Sequence, residues 1–214
     1  MSLYRAAVRA LAASAAIFTI ASQGRAGAAD MNFAVLRDGA QIGTNSVEVG
    51  HDGDATTVRT VTHVQVGFAF VTFYRFDQTE SERWSDGRLV ALDATTDDNG
   101  TLHRASAAAR DGKIVVQGDG KTSEIASTTV PFNLWNSALV DQNVTLDPRD
   151  GSVKPVKVID RGEDAVVVRG HTRRAHHYVI VTTFAQDVWY DGSGRLLQAE
   201  LKGIDGSTIR YQLI

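Results

Sequence analysis

The stretch "TTVRTVTHVQVGFAFVTFYRF", Thr56 to Phe76, decides the fold. Its first half places Val58, Thr60, Thr62, Val64 and Val66 on one face and Arg59, His63 and Gln65 on the other, with Val61 as an exception. Alternation with period two indicates a half-buried strand. The second half, "FAFVTFYRF", puts Phe68, Phe70, Tyr74 and Phe76 on one side while Val71 and Phe73 remain on the other. A strand apolar on both faces needs cover on both, so this segment reads as a central strand of a curved or closed sheet.

Working outward, further strand candidates are "MNFAVLR", "QIGTNSVEV", "GRLVALDAT", "KIVVQG", "SVKPVKVID", "DAVVVRG", "HHYVIVTTF" and "STIRYQL". Asx-Gly pairs separate them, from Asp38-Gly39 through Asp86-Gly87, Asn99-Gly100 and Asp111-Gly112 to Asp205-Gly206. Such pairs tolerate the positive φ that tight hairpins require. The expected fold is all-β: a strongly curved antiparallel meander or half-open barrel. One short helical segment is expected around 132–142, where Phe132, Trp135, Leu139 and Val140 could share a side before Pro148 and Gly151.

The motif "VWYDGSGRLLQA" (188–199) has an echo in "ERWSDGRLVAL" (82–92). In each, a Trp ends a strand, Asp-Gly turns the chain and Arg-Leu opens the return. A functional reading would gather Asp86, Arg88, Asp191 and Arg195 at one rim. An Asp before Gly normally bonds its own turn backbone, which favours two corners over a site.

Residues 1–28 read as a secretory signal peptide and 29–214 as a single β domain. Arg5 and Arg9 precede the apolar run Leu11 to Ala21, and Ala26-Gly27-Ala28 supplies a small-residue cleavage site. Gln23, Gly24 and Arg25 interrupt the run before it is long enough to span a bilayer. The segment carries three arginines and no acid, so cleavage takes the formal net charge from −3 to −6. That balance argues against a nucleic-acid partner. The absence of cysteine excludes disulfides, thiolate metal sites and a Cys nucleophile. A periplasmic or secreted location is the expectation, with no transmembrane segment after cleavage.

Enzyme motifs are missing: the chain has no G-x-S-x-G, H-E-x-x-H or Gly-rich phosphate loop. His176 and His177 are adjacent, so on a strand they face opposite ways and cannot share one metal. "HTRRAHHY" (171–178) reads as a hairpin loop with a solvated basic patch, and Asp97-Asp98 and Glu163-Asp164 read as turn residues. No catalytic residue, metal or cofactor is expected.

The segments "FAVLRDGAQIGTNSVEVG", "RWSDGRLVALDATTDDNG", "LWNSALVDQNVTLDPRDGSVKPVKVIDRG" and "VWYDGSGRLLQAELKGIDGSTIRYQL" resemble the exported bacterial proteins of domain of unknown function 6134. They are more distantly similar to domain of unknown function 3108. The C-terminal end, with Trp189, Asp191, Leu196, Leu197, Asp205 and Gly206, is loosely similar to the Lol-type periplasmic lipoprotein carriers. That last likeness implies a curved sheet around an apolar cavity, lined here by Phe68, Phe70, Phe73, Tyr74, Trp84, Trp135 and Trp189. The expected function is a non-catalytic binder or carrier of an apolar, lipid-like ligand in the cell envelope. One alternative is an envelope scaffold or partner-binding protein with a filled core, which would expose an apolar patch or edge strand. Another is a hydrolase, which would need a polar cleft holding a His or carboxylate of perturbed pKa.

Overall fold

The computed structural model describes residues 30–68 and 71–214. Residues 1–29, which hold the expected signal peptide, lie outside the described residues, as do Ala69, Phe70 and the side chain of Phe68.

The chain runs through β1 (Met31–Arg37), β2 (Ala40–Asp52), β3 (Ala55–Phe68), β4 (Val71–Ser85), β5 (Arg88–Asp98), β6 (Thr101–Arg110), β7 (Lys113–Gly118) and β8 (Lys121–Ala126). It continues through β9 (Val130–Pro131), a 3-10 turn (Ser137–Asp141), β10 (Val144–Leu146), β11 (Val153–Pro155), β12 (Lys157–Val168), β13 (His171–Val181), β14 (Ala185–Tyr190), β15 (Leu196–Lys202) and β16 (Thr208–Leu213). Thirteen strands form one sheet, ordered β12-β13-β14-β15-β16-β1-β2-β3-β4-β5-β6-β7-β8. Every pairing in it is antiparallel, and paired strands are consecutive in the chain except β16 and β1, which pair although they are far apart in sequence. The sheet is not closed; β8 and β12 are its edges.

Turn chemistry explains the regular reversals. Asp38-Gly39, Asp86-Gly87, Asn99-Gly100, Asp111-Gly112 and Asp119-Gly120 all take positive φ at both residues. Two consecutive residues of positive φ make the turn whose twist matches that of paired strands. Arg169-Gly170 does the same without an Asx residue (φ 51° and 76°), which is why composition did not mark that turn.

Four segments differ from their sequence readings. "FAFVTFYRF" is not one strand: Phe68 pairs with Val71 and Gly67 with Thr72, so the chain reverses between β3 and β4 after a bulge at Val66/Gly67. Aromatics on both faces here mark a hairpin end. "HTRRAHHY" is strand β13 itself, and Glu163-Asp164 sits within β12 opposite His176 and Ala175. Strand β6, "TLHRASAAAR", was not foreseen, because alanine carries little β-propensity.

The segment between β8 and β12, residues 127–156, crosses the concave face. It contains the expected helical element as a single 3-10 turn, capped by the Asn136 side chain accepting from Ala138 N at 3.0 Å. The small parallel-antiparallel sheet β11-β10-β9 holds it together, with Thr145 Oγ1 donating to Val130 O at 2.7 Å. Leu139 and Leu146 are buried in the same hydrophobic cluster as Phe33, Leu92, Ile114, Val116 and Val188 of the sheet. Close approach needs small partners, and the register supplies them: Gly118, Ala105 and Ala94 lie in one cross-strand row. A Cβ on Gly118 would meet the Asp150 carbonyl oxygen and lie 2.6 Å from Gly151 Cα.

This contact sets a testable expectation. Gly118→Ala forces two backbones apart and should lower stability by about 2 kcal/mol, read as a shifted urea midpoint. Gly112→Ala strains a positive-φ turn but meets nothing within 4 Å, and should cost less, about 1 kcal/mol.

Candidate functional site

Beyond the row of small residues, the concave face turns polar. Thr60, Thr62, Thr96, Glu80 and Glu82 are all buried there, as are Thr145 and Asn133 of the crossing segment. Period-two alternation along β4 sends Gln78, Glu80, Glu82 and Trp84 to the same side. Glu80 is 1% exposed and Glu82 4%.

Asn133 joins them. Its Nδ2 donates to Glu80 Oε1 at 2.7 Å and to Glu82 Oε1. Trp84 Nε1 donates to Glu82 Oε2 at 2.6 Å, and the Trp84 and Trp135 rings meet edge to face with centroids 5.9 Å apart. Glu80 Oε2 and Trp135 Nε1 are buried with no hydrogen-bond partner. Burial drives both carboxyl pKa values up. For Glu80 the neighbouring Glu82 adds to the rise, whereas donors oppose it at Glu82. A pair this close titrates as a unit and keeps a proton above the ordinary glutamate range.

Next to this cluster, between the sheet and the crossing segment, lies a cavity of about 320 Å³. Phe33, Phe76, Phe132 and Leu201 form apolar parts of its wall. Asn45, Thr62, Gln78, Gln186, Arg149 and Lys154 form polar parts. Lys154 is held by Asp147, and Arg149 lies 3.5 Å from Asp98 and 3.4 Å from Asp150. The charges at this end are therefore largely matched within the protein. A wider, open depression of about 900 Å³ lies on the opposite face of β4–β8, lined by Thr79, Thr95, Arg104 and Gln117 among others.

The residues expected to line a site are dispersed. Trp135 forms part of the cavity wall, and Trp84 lies behind it in the carboxyl cluster. Trp189 stacks on His177 (4.4 Å, 11°) and donates to Asp164 at 2.8 Å, on the face opposite Val188. Phe73 is 63% exposed at the β3–β4 hairpin end. Tyr74 is partly exposed and donates to Asp98 at 3.0 Å; burial, then that bond, push its hydroxyl up to about 12. Phe70 and the Phe68 side chain are outside the described residues.

The two histidines do face opposite ways. His176 Nε2 meets Asp160 at 2.6 Å, and His177 Nε2 meets Asp187 at 2.7 Å. Among the described residues no group of three or more His, Cys, Asp or Glu is arranged to hold a metal ion. No described helix is long and apolar enough to cross a membrane. Asp191 caps its own turn, accepting from Ser193 N at 2.9 Å and Arg195 N at 3.0 Å. The repeated Asp-Gly motif turns corners.

Sequence reasoning missed the Glu80–Glu82 pair. The available signal was the continuation of β4 alternation into "QTESERW", where two acids take inward positions before an inward Trp.

Asn133→Ala should leave two buried carboxyls without their shared donor and cost about 2–3 kcal/mol near neutral pH. The loss should shrink toward pH 5. A raised carboxyl pKa means the folded chain holds protons that the unfolded chain has released, so the pair's penalty grows as pH climbs from the ordinary glutamate range through its own. Surface aspartates act in the opposite sense. Asp205, held down to about 2 chiefly by Ser207, contributes stability that disappears only as pH falls toward that value. Urea melts of both proteins across pH 5–8 measure the difference.

The chain belongs to the DUF6134 family, a domain of unknown function matched over residues 33–214. It is similar in fold to the crystal structure of a β-barrel-like protein of domain of unknown function DUF1849 from Brucella abortus. That likeness has a TM-score of 0.61 at 14% identity, covering 86% of this chain and 94% of the other. No curated protein matches the chain. The more distant likenesses to domain of unknown function 3108 and to Lol-type carriers are not among these matches.

Proposed function

We propose that this DUF6134 protein is an exported cell-envelope binder, without catalytic activity, of a small ligand that has an apolar body and a polar end. The supporting observation is the cavity between the sheet and the crossing segment, whose wall combines Phe33, Phe76, Phe132 and Leu201 with Asn45, Gln78 and Gln186. Small-molecule sites combine apolar wall with convergent polar groups that fix orientation, and here polar and apolar surface share the wall about equally. Neutral amides and hydroxyls select a hydroxyl or amide end over a strongly charged one, because Arg149 and Lys154 already have carboxylate partners. The lipid-like expectation thus narrows to a compact amphipathic molecule. A hydrolytic role is less favoured, since the two perturbed carboxyls lie behind the wall and not in it.

A second reading, partner binding, is favoured by a different observation. Phe73, Leu102, Phe184 and Ile204 are exposed, and all lie at the end of the sheet that carries the β3–β4, β5–β6, β13–β14 and β15–β16 connections. Exposed apolar residues gathered at one end mark a contact surface.

The test is native mass spectrometry of residues 29–214 exported to a bacterial periplasm, with titration of a dansyl-labelled medium-chain alcohol. Uptake of one probe per chain is expected. Gln78→Trp, which fills the cavity, should weaken it by at least about tenfold, and Phe73→Asp should leave it unchanged. An apo mass that takes up no probe overturns the cavity reading and moves attention to the exposed apolar end.

A further inference from the structure

One side chain of the crossing segment, Asn133, makes its hydrogen bonds to the two buried glutamates of the sheet. Asn133 donates to Glu80 and Glu82 with the same Nδ2, and both carboxyls are almost fully buried. The same segment supplies Phe132, Leu134, Trp135, Thr145, Arg149 and Lys154 of the cavity wall. Whatever loosens Asn133 loosens one side of the cavity.

We propose that Glu80, Glu82 and Asn133 form a protonation-controlled latch: while the carboxyl pair holds a proton the crossing segment stays seated, and when the proton leaves the segment lifts and the cavity opens. This deepens the binding reading above and rests on it.

The geometry gives a second negative charge no compensating cation. On β4 the two glutamates face each other; β3 presents Val58 and Thr60 to them, and β5 presents Leu92 and Ala94. The crossing segment presents Asn133 and, farther off, Asp147, which is negative and already bound to Lys154. Among the described residues no Lys, Arg or His pairs with either glutamate. Two buried carboxylates that share the Asn133 amide, with the Trp84 indole on Glu82 as a further neutral donor, repel each other, and a buried charge without a countercharge is expensive. Hydration is the available relief.

The segment is the element able to move. Glu80 and Glu82 lie on β4, hydrogen-bonded on both sides along its length. The crossing segment instead contains short strands and one 3-10 turn, tied elsewhere by contacts such as Tyr190 Oη to Leu134 O at 3.0 Å. Local opening draws on elements with few regular backbone bonds.

The experiment is hydrogen–deuterium exchange of the unmodified chain from about pH 5.5 to about pH 8, corrected for intrinsic exchange. Exchange across residues 129–146 should accelerate at least about tenfold beyond the correction at the upper pH, with β1 and β2 unchanged. Glu80→Gln, which keeps shape and removes the second charge, should flatten the response to below about threefold. The wild-type series decides the question even if that variant does not fold. No acceleration, or one shared by β1 and β2, overturns the latch and leaves the binding reading intact. Acceleration confined to 129–146 in a chain that takes up no dansyl probe upholds the movement and overturns binding alone. Where the probe binds, its dissociation rate should rise by the same factor; a rate indifferent to pH overturns control of the cavity.

Discussion

A sheet of thirteen strands that does not close on itself leaves its concave face needing a second layer. No helix beyond one 3-10 turn is available among the described residues, so the 127–156 segment provides that layer. Much of the remaining structure follows from this requirement. The sheet must present small residues where the segment comes closest, as Gly118, Ala105 and Ala94 do. It must present apolar ones where Leu139 and Leu146 insert. It must also satisfy polar groups of a segment with little regular pairing, as Glu80 and Glu82 do for the Asn133 amide and Tyr190 does for the Leu134 carbonyl.

Burying Glu80 and Glu82 is an expensive way to receive one asparagine. A hydrophobic pair of similar volume would contribute more stability. The carboxyls give direction in exchange: Asn133 can meet both of them in few ways, so the segment has one seating instead of several. Buried polar groups act this way in some folds, and here the same groups respond to protons because nothing basic balances them. Stability, specificity of seating and sensitivity to pH are thus three results of one cluster.

The cavity beside that cluster is formed by the seating itself. Its floor belongs to β1–β4, β14–β16 and the β13–β14 connection, and its roof to the crossing segment. The exposed faces are built differently. Trp189, His177, Asp164 and Asp187 lock together on the opposite face, and ion pairs such as Lys113–Glu124 at 2.7 Å join neighbouring strands in solvent. Exposed pairs of this kind contribute little to stability and are screened by salt.

Turn chemistry and alternation were legible from residues alone. Asx-Gly pairs specify tight antiparallel reversals, and β1 and β7 have the bounds that their apolar patterns suggest. The all-β class and the open curvature followed from those local signals, and the family from the resemblance carried by the turn and packing segments. What they did not reveal depends on contacts distant in sequence. Aromatics at Phe68 to Phe76 read as a buried strand, because alternation does not say where a chain reverses once Gly67 shifts the register. Alanines in β6 read as nothing in particular, because their role is to be small beneath a segment that arrives later in the chain. Glu80 and Glu82 stood out by nothing local, because only the crossing segment and Asn133, fifty-three residues beyond Glu80, enclose them. Local backbone preference therefore determined the strands and their turns, whereas the layer that covers the sheet, and with it the cavity and the buried acids, came from tertiary packing.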